Sequence, residues 1–404
     1  MNSSPIPIYA FKLQSKIEII SQGEVSILVM KKVCLLIGFD QNESEMASIR
    51  WLRFKKYLEK DNLSIEWIPI KLSSLEKGES FIKKISHDIS VLNKAYKLSK
   101  KLKNKINFNE NTFVLVSIPP GDPLIVGIIL KLLLRHKISM ILEIRDIYAR
   151  TDFFNFERGR RIIEVIKEKV FIRLADRILY LTEVIKKEYC SYYKNLNKVN
   201  EGIVITNGYD RDEYLYSKKG KKRNEYLEIN YFGSIYGTRN PEVLFKALKK
   251  LKDDDKSNLK KIKINIFGKA KDYPIESKIN YYELDDIVTF HGEKSHTFVL
   301  RKYFDTDINL IITHSKDSYY ALPGKLFEYI GSGKPIWAIT QDKILIDFLV
   351  RNELGFVSAQ SIEEIIKTLE KIISMHKNRC LPSIEIPKKF DVREIVKELE
   401  KVFS

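Results

Sequence analysis

Short apolar runs alternate with longer amphipathic segments along almost the whole 404-residue chain, beginning near Met30. Such runs are typical of strands buried on both faces, and the amphipathic segments have the length of crossover helices. A helix that connects two neighbouring strands in this way makes them parallel. The pattern therefore predicts an α/β chain of doubly wound parallel sheets, with functional loops at the carboxyl ends of the strands.

The alternation is interrupted once, by the polar stretch from Asn207 to Glu213 and the Lys-rich segment 217–224. A chain of this length also exceeds the size at which a single core stops growing, so two domains are expected. The resulting assignment is an N-terminal appendage at 1–29, a first domain at 30–210, a linker at 211–227, a second domain at 228–385 and a closing helix at 386–404.

Each domain has its own series of elements. The first contains candidate strands at 33–39, 64–69, 112–118, 138–144, 177–181 and 202–206, with helices at 44–60, 76–103, 123–136, 157–174 and 183–193. The second contains candidate strands at 228–232, 261–267, 287–290, 308–313 and 336–339, with helices at 241–251, 295–303, 323–330 and 343–352. Apolar residues at helical spacing predict a last packed helix over 390–403.

The composition excludes several classes of protein. Its three cysteines lie far apart and its six histidines are scattered, so we expect neither a disulfide framework nor a metal site. Charged residues interrupt the longest apolar run, 124–142, which is therefore not expected to span a membrane. Residues 1–29 do not show the basic region, apolar region and cleavage site of a secretory signal in that order. These features favour a reducing cytoplasm.

The formal net charge of +17 indicates anionic partners. Nucleotide phosphates, anionic lipid headgroups and nucleic acid all carry the required charge. The Lys-rich runs lack the interleaved aromatic residues of a base-stacking platform, so we expect no nucleic acid. A cytoplasmic protein that docks on the anionic inner face of the membrane fits the charge.

The segment 321–339 predicts a site for a nucleotide. Pro323 suits the first position of a helix whose free N–H groups attract phosphate. Lys325 and Glu328 lie three residues apart and share one face of that helix, with the cation near the phosphates and the carboxylate where a ribose would lie. An ordinary surface helix with a solvated Lys–Glu pair is the alternative.

Three motifs in this order carry a family resemblance: Thr-Asn-Gly-Tyr-Asp210, the stretch Asn-Tyr-Phe-Gly-Ser-Ile-Tyr-Gly-Thr-Arg-Asn-Pro-Glu242, and Pro-Gly-Lys-Leu-Phe-Glu-Tyr-Ile-Gly-Ser-Gly-Lys-Pro335. Together they resemble the GT-B-fold glycosyltransferases, in particular the family-four retaining enzymes of the bacterial surface-polysaccharide branch that builds capsule, exopolysaccharide or O-antigen. The resemblance implies two Rossmann-like domains facing a central cleft. It also implies that the second domain binds a nucleoside-diphosphate sugar and the first receives the acceptor.

The resemblance assigns donor-binding roles by position. Gly233 matches a glycine that lets diphosphate approach the backbone, Arg239 and Lys325 supply cations, and Glu328 matches the second glutamate of the family's E-x7-E motif, which binds ribose. Tyr320 stands where the first glutamate is expected, and Ser234 stands where an arginine is frequent. The predicted donor-binding set is Gly233, Ser234, Arg239, Gly268, His291, Tyr320, Pro323, Gly324, Lys325, Leu326 and Glu328. Turn glycines, surface cations and a satisfied histidine are the alternatives.

In the first domain, Arg145 and Asp146 follow the strand 138–144, where related enzymes frequently carry a His-Asp pair facing the donor sugar. We expect Asp146 to orient the acceptor or the sugar, with a buried salt bridge or turn cap as the alternative. Glu183 either lines the cleft as a third catalytic residue or starts a helix.

The expected activity is sugar transfer from a nucleoside-diphosphate sugar to a glycan or a polyprenyl-diphosphate-linked acceptor, with retention and without a metal or other cofactor. Two alternatives share the architecture: a sugar-nucleotide 2-epimerase, which requires acid and base carboxylates in the cleft, and a non-catalytic basic scaffold for membrane or polysaccharide machinery.

Overall fold

The computed structural model describes residues 32–39, 46–59, 63–70, 81–105, 112–150, 158–214, 225–254, 257–314 and 322–404. The predicted appendage at 1–29 and Tyr320 lie outside these ranges. Within them, no helix combines the length and the apolar character needed to cross a membrane.

The first sheet has six parallel strands in the order β2-β1-β3-β4-β5-β6. Their bounds are Lys32–Gly38 (β1), Leu63–Pro69 (β2), Thr112–Ile118 (β3), Ser139–Ile144 (β4), Arg177–Tyr180 (β5) and Ile203–Val204 (β6). The helices are Met46–Leu58 (α1), Phe81–Lys105 (α2), Asp122–Leu134 (α3), Arg158–Leu174 (α4), Glu183–Tyr192 (α5), Asn197–Glu201 (α6) and Arg211–Tyr214 (α7).

The second sheet also has six parallel strands, in the order β12-β11-β10-β7-β8-β9. Their bounds are Leu227–Phe232 (β7), Ile262–Phe267 (β8), Val288–Gly292 (β9), Ile308–Ile312 (β10), Ile336–Ile339 (β11) and Gly355–Ser358 (β12). The helices are Glu242–Asp253 (α8), Ile275–Tyr281 (α9), His296–Asp305 (α10), Gly324–Ser332 (α11), Lys343–Arg351 (α12), Ile362–Lys377 (α13) and Val392–Glu400 (α14).

The prediction of two doubly wound parallel sheets is confirmed. Sequence reasoning omitted the helices α6, α9 and α13 and the sixth strand of the second sheet, β12. It also placed 211–214 in the linker, whereas these residues form α7, whose buried Tyr214 helps to pack it against α10 and α11. Strand β12 has only four residues, of which Phe356 and Val357 are the apolar pair, so its pattern is too short to stand out. Its neighbour β11 supplies the register, with Trp337 opposite Phe356.

Helix α14 returns to the first sheet. Its buried Ile395 and Leu399 share a core with Cys34 of β1 and Phe113 of β3. Asp391 caps this helix by accepting a 3.0 Å hydrogen bond from the backbone N–H of Arg393. The last helix therefore belongs by packing to the N-terminal half of the chain, although it follows the second sheet in sequence.

Two segments that connect the sheets run side by side. The backbone N–H of Tyr209 donates to the carbonyl oxygen of Phe390 at 3.0 Å, and the N–H of Val392 donates to the carbonyl oxygen of Tyr209 at 3.0 Å. These two hydrogen bonds pair the segments where they pass between the sheets.

Candidate functional site

A cavity of about 430 Å³ opens at the carboxyl ends of β7 and β8. Such an edge is where open parallel sheets bind ligands. Met46 and Ile49 of α1 contribute to its wall from the first sheet's side. Eight of the predicted donor-binding residues line it: Gly233, Ser234, Arg239, Gly268, Pro323, Gly324, Lys325 and Glu328.

Glycines keep the strand ends open. Gly233 has a φ of +148°, and a Cβ on it would lie 2.8 Å from Lys325 Nζ and 2.9 Å from Arg239 Nη2. At Gly268, a Cβ would lie 2.1 Å from the carbonyl oxygen of Gly233. The backbone contact at Gly268 excludes any side chain there. At Gly233 the positive φ favours glycine, and a Cβ would displace the two cations.

Lys325 and Arg239 place two positive charges beside Gly233. Lys325 Nζ donates a 2.7 Å hydrogen bond to the carbonyl oxygen of Phe232 and lies 4.0 Å from the ring centroid of Tyr231. Arg239 Nε donates to the hydroxyl of Tyr231 at 3.3 Å. No carboxylate in the described part of the chain forms an ion pair with either cation. Burial and the nearby charge of Arg239 hold the pKa of Lys325 well below its usual range.

The amino end of α11 faces the same cavity. The helix begins at Gly324, so Pro323 is the N-cap residue and not the first helical residue that the sequence predicted, since its ψ of 130° is not helical. No side chain caps this end. A Cβ on Gly324 would lie 2.7 Å from the methyl carbon of Met46, so glycine allows α1 to approach closely. An uncapped helix start beside the buried Lys325 and the half-buried Arg239 is suited to an anion.

Glu328 lies deeper in the cavity and accepts hydrogen bonds from three side chains. Its Oε1 accepts from Arg53 Nη2 at 2.9 Å and interacts with His296 Nε2 at 3.0 Å, and its Oε2 accepts from the Tyr303 hydroxyl at 2.8 Å. Burial alone would raise the pKa of Glu328. The His296 hydrogen bond and the charge of Arg53 outweigh burial and lower it to about 2. Glu328 is therefore an ionised carboxylate held in one orientation.

Two predicted donor-binding residues lie behind the cavity rather than on its wall. His291 Nε2 is 2.9 Å from Asn265 Oδ1, and its ring stacks on Phe267 with centroids 4.5 Å apart. Leu326 is fully buried in the core between α11 and the second sheet. Neither residue lines the cavity. The His291 ring packs on Phe267 and Leu326 packs in the core, and such packing removes apolar surface from water.

The three predicted acceptor-side residues lie in different environments. Arg145 donates to Ser117 Oγ at 2.8 Å and to the carbonyl oxygen of Pro119. Asp146 Oδ1 is buried and has no hydrogen-bond partner, and burial raises the pKa of this carboxyl to about 6 although the charge of Arg145 opposes the shift. Glu183 is exposed at the first position of α5, next to the capping residue Thr182.

Sequence reasoning missed Arg53, His296 and Tyr303, the three partners of Glu328. Arg53 lies three residues after Arg50 in α1, and both arginines are buried. Two arginines three residues apart among the apolar residues Ile49, Trp51 and Phe54 would be a usable sequence signal, since buried arginine requires a partner. The identity of that partner depends on the fold.

The described ranges hold no group of three or more His, Cys, Asp or Glu side chains that could bind a metal ion.

Comparison with solved structures defines the class of the fold. A glycosyltransferase from Rickettsia africae superimposes with a TM-score of 0.66 at 13% identity, over 93% of this chain and 98% of that one. HepE from Anabaena, in complex with UDP and glucose, gives 0.61 at 13% identity, over 92% and 99%. A UDP-N-acetylglucosamine 2-epimerase gives 0.55 at 12% identity, over 92% and 97%. At these identities the likeness concerns the fold, which is that of the GT-B glycosyltransferases.

A sequence comparison narrows the class. Residues 212–382 match the family described as Glycosyl transferases group 1. This segment contains β7 to β12 and all the cavity residues except those from α1. No curated protein sequence matches the chain. The family match and the fold together support a glycosyltransferase of the GT-B type.

Proposed function

We propose that this protein transfers a sugar from a nucleoside-diphosphate sugar to an acceptor hydroxyl, with retention of the anomeric configuration. The observation that carries the proposal is the convergence of Lys325 and Arg239 beside Gly233, at the start of α11. A buried lysine and a half-buried arginine that lie side by side, without a carboxylate partner in the described ranges, are unfavourable as two charges unless an anion binds. A diphosphate supplies that anion.

The same cations would act on the reaction. When the glycosidic bond breaks, the leaving diphosphate gains negative charge, and donors already oriented toward it stabilise the transition state. One such group lowers the activation free energy by about 3 kcal/mol. We propose that Lys325, Arg239 and the backbone N–H groups at the start of α11 perform this role without a metal ion.

On the acceptor side we propose Asp146. Its carboxylate oxygen is buried without a partner, close to the carboxyl end of β4, and a raised pKa suits a group that orients or accepts a proton from a hydroxyl. Arg145, bonded to Ser117, would support the same loop. Glu183 stays a weaker candidate because it is exposed at a helix start.

The nucleotide proposed first is a uridine diphosphate sugar, because the structurally similar HepE is described in complex with UDP and glucose. The test is a thermal-shift screen of UDP, GDP, ADP and dTDP with their sugars, followed by calorimetry on the best ligand. We expect stabilisation by one of them and its loss in Lys325→Ala. Lys367→Ala, an exposed change on α13, is the matched control. Failure of every nucleotide to bind would favour a non-catalytic scaffold.

An epimerase is the second candidate because a UDP-N-acetylglucosamine 2-epimerase has the same fold. The two reactions separate cleanly: incubation with UDP-N-acetylglucosamine and no acceptor yields an epimer only if the protein is an epimerase. Proton NMR of the sugar ring identifies the product. With an acceptor present, a product that keeps the anomeric configuration of the donor supports retention.

We also propose that the protein works in surface polysaccharide assembly on the anionic cytoplasmic face of the membrane, where a polyprenyl-diphosphate-linked or glycan acceptor would be reached. The charge of +17 supports this location. Leu132 of α3 and Ile162 and Ile166 of α4 are exposed, and α3 and α4 pack against each other. Exposed basic residues are present nearby: Arg135 and Lys137 just after α3, and Lys169 and Arg173 of α4. Apolar side chains among cations suit a lipid surface.

Flotation with anionic liposomes at low and high salt tests this location. We expect binding that weakens with salt and with the double change Ile162→Gln and Ile166→Gln. Val350→Gln, on the exposed side of α12, is the control. Absence from the lipid fraction at every salt concentration would contradict membrane association.

A further inference from the structure

Glu328 has little capacity left for a ligand. A carboxylate offers about four acceptor positions, two on each oxygen. Arg53 and His296 occupy both positions on Oε1, and Tyr303 occupies one on Oε2. One position stays open, whereas the two hydroxyls of a ribose would each donate a hydrogen bond. A second hydrogen bond from the ribose therefore requires one of the present donors to leave.

Arg53 differs from the other two donors in its origin. His296 and Tyr303 both lie on α10, which packs beside α11 in the second half of the chain. Arg53 lies on α1, which packs on the first sheet, and 275 residues separate it from Glu328 in sequence. Its bond to Glu328 is thus a contact between the two halves.

Arg53 also has other partners that would hold it if Glu328 turned to a ribose. Its Nε donates to Glu213 Oε1 at 2.8 Å and its Nη2 donates to Glu213 Oε2 at 2.6 Å, so the two residues form a bidentate salt bridge. Its Nη1 donates to the carbonyl oxygen of Gly208 at 3.1 Å. These contacts neutralise the guanidinium without Glu328, so the donor that can leave at lowest cost is Arg53.

The same helix is anchored to the segment that connects the sheets. Arg50 donates to the carbonyl oxygens of Ile205 at 2.7 Å and Thr206 at 2.6 Å, and it pairs with Glu143 of β4 at 3.2 Å. Since Arg50 and Arg53 bind consecutive parts of the crossing segment, a shift of α1 relative to α11 changes the Arg53–Glu328 contact directly.

We propose that Arg53 is a positioning residue that competes with the ribose hydroxyls for Glu328 and so links nucleotide affinity to the placement of α1. The proposal rests on the function proposed above, because it assumes that Glu328 faces a nucleotide ribose. Pairing with Arg53 weakens ribose binding. When Arg53 leaves Glu328 and keeps only its pair with Glu213, a second acceptor position opens on Glu328 and ribose binding becomes stronger.

The test compares the nucleoside diphosphate that binds best in the thermal-shift screen with its 2′,3′-dideoxy analogue by calorimetry. The ratio of the two affinities measures the hydrogen bonds made by the ribose alone. One hydrogen bond to a charged group corresponds to about tenfold, which is the ratio we expect for the native protein.

Two substitutions should move this ratio in opposite directions. Arg53→Lys cannot maintain a two-pronged pair with Glu213 and a bond to Glu328 together, so Glu328 is released and the ratio should rise about fivefold or more. Glu213→Gln removes the competing carboxylate, so Arg53 stays on Glu328 and the ratio should fall toward one. Arg173→Lys, an exposed change on α4, is the control.

The outcomes separate this proposal from the function on which it rests. If no nucleoside diphosphate binds the native protein, the proposed function fails and this proposal fails with it. If nucleotides bind but all variants show the native ratio, or both substitutions shift it in the same direction, the competition is disproved while nucleotide binding stands. A purely structural role for Arg53 would lower the melting temperature and leave the ratio unchanged.

Discussion

Lys325 donates a 2.7 Å hydrogen bond from Nζ to the carbonyl oxygen of Phe232, although the two residues are 93 positions apart in the chain. This bond holds the ammonium at the end of β7, beside Gly233 and next to Arg239. The cation comes from a helix and the backbone that fixes it comes from a strand. The position of the charge is therefore set by the packing of α11 on the second sheet.

Removal of the Lys325 charge should reduce nucleotide binding and turnover together. We expect Lys325→Ala to lower kcat/KM about 10²-fold, the usual effect of deleting one oriented donor at a developing negative charge. Steady-state kinetics with the best donor measures the change. Lys367→Ala should keep native kinetics, and an equal loss in that control would show that the effect is not specific to the site.

Nucleotide affinity should fall as pH rises. The pKa of Lys325 is held well below its usual range by burial and by Arg239, and a bound diphosphate would raise it. Binding then takes up a proton, so affinity is highest below the pKa of the free protein and decreases until the pKa of the complex is reached. Calorimetry from pH 6 to pH 9, in buffers of different ionisation enthalpy, measures the affinity and the proton uptake. The dependence should flatten in Lys325→Arg, and a flat native profile would contradict this assignment.

Gly233→Ala should damage the site while leaving the sheets folded. The new methyl group would lie 2.8 Å from Lys325 Nζ and 2.9 Å from Arg239 Nη2, and the φ of +148° is unfavourable for alanine. Both side chains would have to move, so nucleotide affinity should fall at least about tenfold. Circular dichroism checks that the sheets stay folded, and calorimetry measures the nucleotide affinity. Gly159→Ala, where a Cβ meets nothing within 4 Å, should bind nucleotide normally.

Asp146→Asn should make the fold more stable and the enzyme less active. The pKa of Asp146 is raised to about 6 by burial, so the native state loses stability as pH increases from about 4 to 6 and the buried carboxyl ionises. The asparagine variant has no such loss. Its free energy of unfolding should therefore exceed that of the native protein by about 1–3 kcal/mol at pH 7, with no difference at pH 4. If Asp146 acts on the acceptor, the same variant should also lose the rise in kcat/KM through pH 6. Urea denaturation and a pH–rate profile give the two results.

The fold was largely accessible from the pattern of apolar residues. Strands such as β3, which is buried at every position, and helices such as α8, with one apolar face, follow directly from periodicity. The pattern failed where an element is short, as in β12. It also gave no indication that α14 would pack against β1, because an amphipathic helix shows which face is buried but not which sheet buries it.

Part of the candidate site could be predicted from the sequence. Pro323, Gly324, Lys325 and Glu328 occur in one segment, so their proximity follows from helix geometry. His291 and Leu326 do not line the cavity, and a strand end or helix start in the sequence does not reveal which way a side chain points. Arg53 was missed because its contact with Glu328 depends on two elements that are far apart in sequence.

By itself, the sequence determined two doubly wound sheets and a helix start with a cation and a carboxylate on one face, since these depend on local periodicity and spacing. The tertiary structure alone decided what those groups meet. It placed Arg239 beside Lys325 without a carboxylate partner in the described ranges, and it brought Arg53 from α1 onto Glu328. Burial and the distance between charges govern their interaction, and both are properties of the folded chain.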